Sequence, residues 1–353
     1  MGDTLSPVRG ENLSITAFLN QPTGWREGVL GAHCYSAEGV ASAMQDVMGI
    51  PCVHVPMKRL DSEESICEVW HGSGQLIQGQ CGAIHYRHDD RVLFGAIALS
   101  EPTTEGDDGK TPLQQVTESA YRQVFALLAT LNFPYLYRFW NYIADINSVS
   151  FGLERYRQFN LGRQDAFLAH GREVMGQVPA ACALGSAQGP LSIGFLAGRM
   201  APLSIENPRQ VSAYRYPDEY GPRSPTFARA SLVRHGPDEV LFVSGTASIV
   251  GHANMHPTDV VAQTRETMAN IKAVLDEANR HASQPGFDLS SLHYKVYVRN
   301  PADLEQIRTE LMRCVGNTFE AVYLRADVCR PELLLEIEVT AANPMVAMPG
   351  QRS

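Results

Sequence analysis

Near its carboxyl end the chain reads PELLLEIEV, from Pro331 to Val339. Successive side chains of a strand point to opposite faces. The stretch therefore sorts Leu333, Leu335, Ile337 and Val339 onto one apolar face, and Leu334, Glu336 and Glu338 onto the other. Two other apolar runs read as strands, RVLFGAIALSE from Arg91 and EVLFVSGTASI from Glu239. Each leads through a loop into a segment with helical spacing. In QVTESAYRQVFALL (115–128) the recurring residues are Val116, Ala120, Val124, Leu127 and Leu128. In AQTRETMANIKAVL (262–275) they are Thr264, Met268, Ile271 and Leu275. Each helix leads to another strand, YLYRFWNYIADIN (135–147) or LHYKVYVRNPADL (292–304). A second helical pattern follows in both places, GLERYRQFNLGRQDAFLAH and ADLEQIRTELMRCVG. The second copy continues with the strands FEAVYLRADV and ELLLEIEV. The order predicts an α+β fold built from a duplicated unit, mixed sheets covered by helices.

The stretch between the copies, residues 200–230, is dense in Pro, Tyr and Arg and too irregular for a long helix or a central strand. The acidic run SEPTTEGDDGKTP (100–112) reads as a solvated loop, and AANPMVAMPGQRS (341–353) as a frayed tail. The expected boundaries are an N-terminal domain over 1–198, a C-terminal catalytic domain over 199–345 and a flexible tail over 346–353.

Composition narrows the function. A chain of 353 residues with 44% apolar and 19% charged residues has material for a sizeable core. The net charge of -9 and the absence of a basic patch argue against a nucleic-acid partner. No apolar run is long enough for a membrane span, and the start MGDTLSPVRG lacks a signal-peptide core. Gly2 and Ser6 fit only the short N-myristoylation pattern. Seven cysteines without CxxC spacing suit reduced thiols in a cytoplasmic protein. The chain has no Walker A loop, no GxGxxG and no GxSxG. His252 and His256 are four apart but lack the carboxylate of an HExxH helix, so neither a metal nor a cofactor is expected.

The candidate chemistry lies elsewhere. YRYPDEYGPRSPTFAR brings Tyr214, Tyr216, Tyr220, Arg215, Arg223 and Arg229 close together in sequence. Arginine binds carboxylates bidentately, and tyrosine offers a hydroxyl beside an apolar ring. The same residues would also suit a surface loop whose arginines pair with Asp218 and Glu219. Alternation in YKVYVR puts Lys295 and Arg299 on one face, and YRFWNYIADIN adds Arg138 and Asn141. Lys295 and Arg138 would serve equally as substrate-holding cations or as structural ion pairs. Glu336 and Glu338 are either solubilising charges on an edge strand or a buried pair. In a buried pair, apolar neighbours and a second carboxylate raise a pKa, so one carboxyl stays protonated and can act as a general acid.

EVLFVSGTAS, AQTRETMANIKAVL, HYKVYVRNPADLEQI and LLLEIEV, in that order, resemble the RidA-like fold of imine deaminases, also described as chorismate mutase-like α+β. Adding EVWH (68–71), RFWNYIADIN, IENPRQVSAYRYPDEYGPRSPTFARA, SGTASIVGH and KVYVR, the chain resembles the chorismatases, over roughly residues 60 to 340. The resemblance implies chorismate as the substrate, a cyclohexadiene with two carboxylates and an enol-ether-linked pyruvyl group. It implies that Glu336 protonates the enolpyruvyl methylene and that pyruvate leaves. It places Arg223, Arg229 and Lys295 on carboxylates, with Arg138 beside them, and Tyr216 and Tyr220 around the ring. Members that make hydroxybenzoates carry a cysteine seven residues before the acid and a glycine in the SGTA turn. Cys329 and Gly245 match both; by spacing alone, Cys329 reads as a small buried residue. The implied products are pyruvate and 3-hydroxybenzoate, with 4-hydroxybenzoate as a further candidate. The rival readings are a hydrolase giving the dihydroxycyclohexadiene carboxylate, a RidA-like imine deaminase, and a small-molecule binder without turnover. Free-standing RidA-like proteins are trimers with sites between subunits. Two units in one chain imply a monomer that completes its site internally.

Overall fold

The computed structural model describes residues 10–37, 49–235, 238–283 and 286–344. Gly2, Ser6 and the tail expected over 346–353 lie outside them. Each repeat folds into a six-stranded sheet. In the first, the strands lie in the order Ile77–Cys81, Ile84–His88, Val92–Leu99, Leu191–Gly198, Tyr135–Ala144 and Ala180–Ser186. In the second the order is Leu203–Ile205, Ala230–His235, Asp238–Thr246, Leu335–Pro344, His293–Val298 and Glu320–Arg325. Counted along the chain within each unit, both read 1-2-3-6-4-5. In both, strands 4 and 5 run parallel and their other neighbours antiparallel. The repeated hydrophobic pattern is thus a repeated topology.

Local chemistry explains the helices. Pro112–Leu131 starts at Thr111, whose hydroxyl accepts from the Gln114 N–H, has Pro112 in its first turn, and stops at Asn132 in the left-handed region, φ 56°. Val260–Asn279 starts at Asp259, which accepts from the Ala262 N–H. Their predicted apolar stripes are buried, Val116, Ala120, Val124, Leu127 and Leu128 in one and Thr264, Met268, Ile271 and Leu275 in the other. With the helices Arg155–Ala169 and Leu304–Val315, they cover the outer face of each sheet. Leu335, Ile337 and Val339 face the helix-side core and are at most 2% exposed. Each such side chain contributes about 1.5–3 kcal/mol of burial.

A third, four-stranded sheet, in the order Gly10–Ser14, Ile66–His71, Val29–Tyr35 and Cys52–Val55, was not foreseen from the sequence. It packs against the inner faces of both units around one shared interior that includes Tyr35, Trp70, Phe94, Trp140, Phe242 and Tyr297. The two six-stranded sheets meet directly through bridges at Ala180–Ala228 and Gly185–Asp327. No helix among the described residues is long and apolar enough to cross a membrane.

Two expectations are corrected. Ala341 to Pro344 is not frayed but extends the last strand, pairing with Asp238 to Leu241. Leu334 does not share the face of the glutamates. The strand begins only at Leu335, and Leu334 turns toward the helix-side core while its N–H donates to Gln263 Oε1 at 2.8 Å.

Candidate active site

Because Leu335, Ile337 and Val339 point outward to the helices, Glu336 and Glu338 must point inward. They meet two different environments. Glu336 is on the wall of a cavity of about 670 Å³ between the two units. The second unit contributes Glu336 and Gly245, with Cys329 and Arg330 from the loop before the last strand. The connecting segment contributes Tyr216, Tyr220 and Arg229, held by two short turns and the Ala228 bridge. The first unit closes the other side with Ala181 to Ala183 and the helix residues Tyr156 and Arg163.

The close approach of Glu336 depends on a break in register. Asp238–Thr246 pairs with the last strand regularly down to Val243–Val339, then shifts before Thr246–Ile337. The irregularity leaves Gly245 beneath the carboxyl, where an added Cβ would fall 1.8 Å from Glu336 Oε1. Among the described residues the Glu336 carboxyl has no hydrogen-bond partner. Burial, followed by the charge of Glu338, pushes its carboxyl up to about 8 despite Arg138 and Arg229.

Among the described residues, the guanidinium groups of Arg163, Arg229 and Arg330 around the cavity each have one buried N–H without a hydrogen-bond partner. Arg229 Nη2 donates to the Tyr216 hydroxyl and to Val211 O, both at 2.8 Å, while its Nε has no partner. Arg330 lies over the Tyr220 ring at 3.9 Å and the Tyr216 ring at 5.0 Å. Its Nη1 donates to His252 O and Asn254 Oδ1, and its buried Nη2 has no partner. Arg163 donates to Asn160 Oδ1 at 2.8 Å and keeps Nε unpartnered. Cys329 is a thiol, pushed up to about 12 by burial and then by Glu336.

Glu338 points instead into the interior shared by the three sheets. It is paired with Arg138 and lies 2.7 Å from Lys295 Nζ, and it accepts from the Tyr297 hydroxyl at 2.9 Å. Lys295 also donates to Glu68 at 2.6 Å and to the Tyr35 hydroxyl at 3.0 Å. Burial alone would raise the Glu338 carboxyl, but Lys295 and Arg138 bring it well below the usual carboxylate range. Glu68, which shares the same ammonium, is raised by burial despite Lys295, with Glu338 adding to the rise and Arg138 opposing it.

With this geometry in place, the relatives are informative. The chain is 38% identical to a 3-hydroxybenzoate synthase of Streptomyces hygroscopicus, over 78% of this chain and 81% of that protein. It is 37% identical to a chorismatase of the same organism over 78% of this chain and 79% of that one. A chorismatase crystal structure superposes with TM-score 0.81 at 31% identity, covering 96% of this chain and 99% of the other. The chain belongs to the chorismatase family. Within it, residues 68–197 match the FkbO/Hyg5-like chorismatase N-terminal profile, and residues 228–343 match the L-PSP endoribonuclease profile. Those two matches fall on the two six-stranded units, so the chorismatase carries its RidA-like module twice in topology. It is an enzyme of the chorismatase type.

Of the residues singled out from the sequence, Glu336, Cys329, Tyr216, Tyr220, Arg229 and Gly245 come together at the cavity. Three cations do not. Lys295 and Arg138 are buried on Glu338, and Arg223 is exposed beyond the wall between Tyr220 and Pro225. His252 and His256 diverge, one 3.1 Å from the Tyr220 hydroxyl and the other 3.6 Å from Glu266. The sequence reading missed Arg163, Arg330 and Tyr156. Arg330 had a local signal, since it adjoins Cys329. Arg163 and Tyr156 had none, because their helix is polar around most of its girth.

Proposed function

We propose that this chain converts chorismate to pyruvate and 3-hydroxybenzoate, with Glu336 as the general acid. One observation carries the reading. A buried carboxyl without a hydrogen-bond partner among the described residues faces a cavity lined by the guanidinium groups of Arg163, Arg229 and Arg330. Chorismate carries two carboxylates for such donors, and Tyr216 and Tyr220 offer apolar faces for its ring. Arg229 and Arg330 are the carboxylate-holding cations we assign. Lys295 and Arg138 are taken by Glu338.

The Glu336 carboxyl donates its proton to the enolpyruvyl methylene, and positive charge develops on the ether-bearing carbon as an oxocarbenium ion. Breaking the bond between the ring and the ether oxygen releases pyruvate. The neighbouring ring hydroxyl closes on the vacated carbon as an epoxide, and its proton passes to the Glu336 carboxylate left by the first step. Glu336 then protonates the epoxide oxygen, and the bond to the carbon that first bore the hydroxyl opens. The hydrogen on the vacated carbon returns to Glu336, which leaves the oxygen in the 3-position and aromatises the ring. The atoms of chorismate divide between pyruvate and a hydroxybenzoate with no net water. The hydrolytic alternative gains one water and leaves the ring unsaturated. Cys329 and Gly245, which line the cavity, match the cysteine and glycine that hydroxybenzoate-forming members resembling this chain carry, and this match supports the aromatising outcome. The site is closed by both units of one chain, which suits a functional monomer, and the reduced cysteines suit action in the cytoplasm.

Incubation with chorismate, with products separated against authentic 3- and 4-hydroxybenzoate and the dihydrodiol, tests the reading. Aromatic product from the native chain is expected. Glu336→Gln is expected to keep the fold and lose pyruvate release by about 10²–10⁴-fold, the usual worth of a general acid. Near-native turnover by that variant would overturn the assignment.

A further inference from the structure

The mechanism above uses Glu336 and leaves Glu338 unused, although both are buried and both face inward from one strand. Their surroundings are built differently. Glu336 has no hydrogen-bond partner among the described residues, whereas Glu338 is held by Arg138, Lys295 and Tyr297. The ammonium is itself anchored from the four-stranded sheet by Glu68 and Tyr35, and Tyr35 continues to Tyr142 at 2.7 Å. Residues from all three sheets therefore converge on a carboxylate that does not line the cavity.

We propose that Glu338 is a positioning residue, a fixed anion clamped by Arg138 and Lys295 whose negative charge keeps the neighbouring Glu336 in its acid form and free to face the cavity. A second consequence concerns the four-stranded sheet. It belongs to neither repeated unit, yet it reaches the catalytic acid through Glu68, Lys295 and Glu338. The inference rests on the reading of Glu336 as proton donor.

The charged and titratable groups around the pair agree with this. Facing Glu338 from the second unit are Lys295 and Tyr297, and from the first unit Arg138, Tyr142 and Cys182. From the four-stranded sheet come Glu68, Tyr35 and His33. His33 is fully buried and held well below its ordinary value by burial and then by Lys295, so it adds no charge. Facing Glu336 are Glu338, Arg138, Arg229, Cys182, Cys329 and Tyr156. Glu338 is the nearby anion that favours a protonated Glu336, and the two arginines oppose it. Two carboxylates close together cannot both ionise cheaply, and the one supplied with cations takes the charge.

The test compares the full-length chain with Glu338→Gln and with the double variant Lys295→Met, Glu338→Gln. Removing Lys295 together with Glu338 keeps the buried cluster neutral, with Arg138 and Glu68 as its remaining opposite charges, so the double variant decides should the single one not fold. Two readouts are taken. One is the pH profile of kcat/KM for pyruvate release from chorismate. The other is the infrared carbonyl band of a protonated carboxylic acid, assigned to Glu336 by its loss in Glu336→Gln. The band at pH 7 should be about half as intense in both variants as in the native chain. The alkaline limb should move down by about one pH unit in each, making the rate loss at pH 8 about fivefold greater than at pH 6. A uniform rate loss with limb and band in place, or a native chain without the band, overturns the proposal. A native band weakened in both variants supports it even if chorismate is not turned over, an outcome that would refute only the reading of Glu336 as donor.

Discussion

The two six-stranded units share a topology but treat the inner face of their sixth strand in opposite ways. In the first unit that strand is Leu191–Gly198, with Ser192, Gly194 and Leu196 facing inward. Gly194 is so tightly covered that an added Cβ would fall 2.3 Å from His33 Nε2, on the four-stranded sheet. In the second unit the strand carries Glu336 and Glu338, and its neighbour is bulged at Gly245. There the added Cβ would meet the Glu336 carboxyl. One copy buries its inner face against a third sheet; the other leaves part of it open and lines the opening with charge. A duplicated scaffold has thus divided the work. One unit builds walls, and the other supplies the carboxyl we propose as the acid.

The sharpest way to break this comparison is to give each unit the same methyl group. Gly245→Ala is expected to displace the Glu336 carboxyl and lower kcat by about 10²-fold, the cost of misplacing a reacting group by about 1 Å. Steady-state kinetics on the folded variant would show it, and an unchanged kcat would mean that the acid does not depend on the bulge. Gly194→Ala should instead cost about 1–3 kcal/mol of stability by overpacking, with kcat per folded molecule unaltered. Denaturant unfolding read beside activity distinguishes the two outcomes.

Cys329→Ala tests how far the wall governs the product. Pyruvate release is expected to persist while the product shifts toward the non-aromatic diol. A product ratio identical to the native one, measured by chromatography, would remove Cys329 from the chemistry.

The smallest effect concerns stability. The folded-state pKa of Glu336 is raised to about 8. The folded chain therefore holds a proton that the unfolded chain releases at its ordinary value of about 4.3. The sign follows from linkage. Below about pH 4 the group carries no penalty, stability falls as pH rises through the window, and the loss is complete above about 8. Glu336→Gln should consequently raise Tm at pH 8 relative to the native chain, by about 2–4 °C for each kcal/mol recovered, and leave it unchanged at pH 4. Equal Tm values for the two chains at pH 8 would show that the carboxyl is not held protonated.

Much of the fold was legible because it is written in short periods. Alternation put Leu335, Ile337 and Val339 on one face, helical spacing set the stripes of two helices, and the repeated order of elements matched a repeated topology. The site was legible where neighbours in sequence are neighbours in space, as in Tyr216, Tyr220 and Arg229, or Cys329 and Glu336. It was not legible where the partner is remote. Lys295 and Arg138 read equally as substrate-holding cations or as structural ion pairs, and only the structure decides, pairing both with Glu338. Arg163 and Tyr156 carried no signal in a polar helix, and nothing in the first 76 residues announced a sheet that holds Lys295 beside Glu338.

By itself, then, the sequence determined the duplicated α+β architecture and the delivery of two carboxylates to one inner face, since both follow from contacts a few residues long. Which carboxylate becomes the acid was decided only by tertiary structure. Arg138 is 200 positions from Glu338, and Glu68 is 227 from Lys295. The protonation state of a buried group is set by charges and burial around it in space, which no local pattern records.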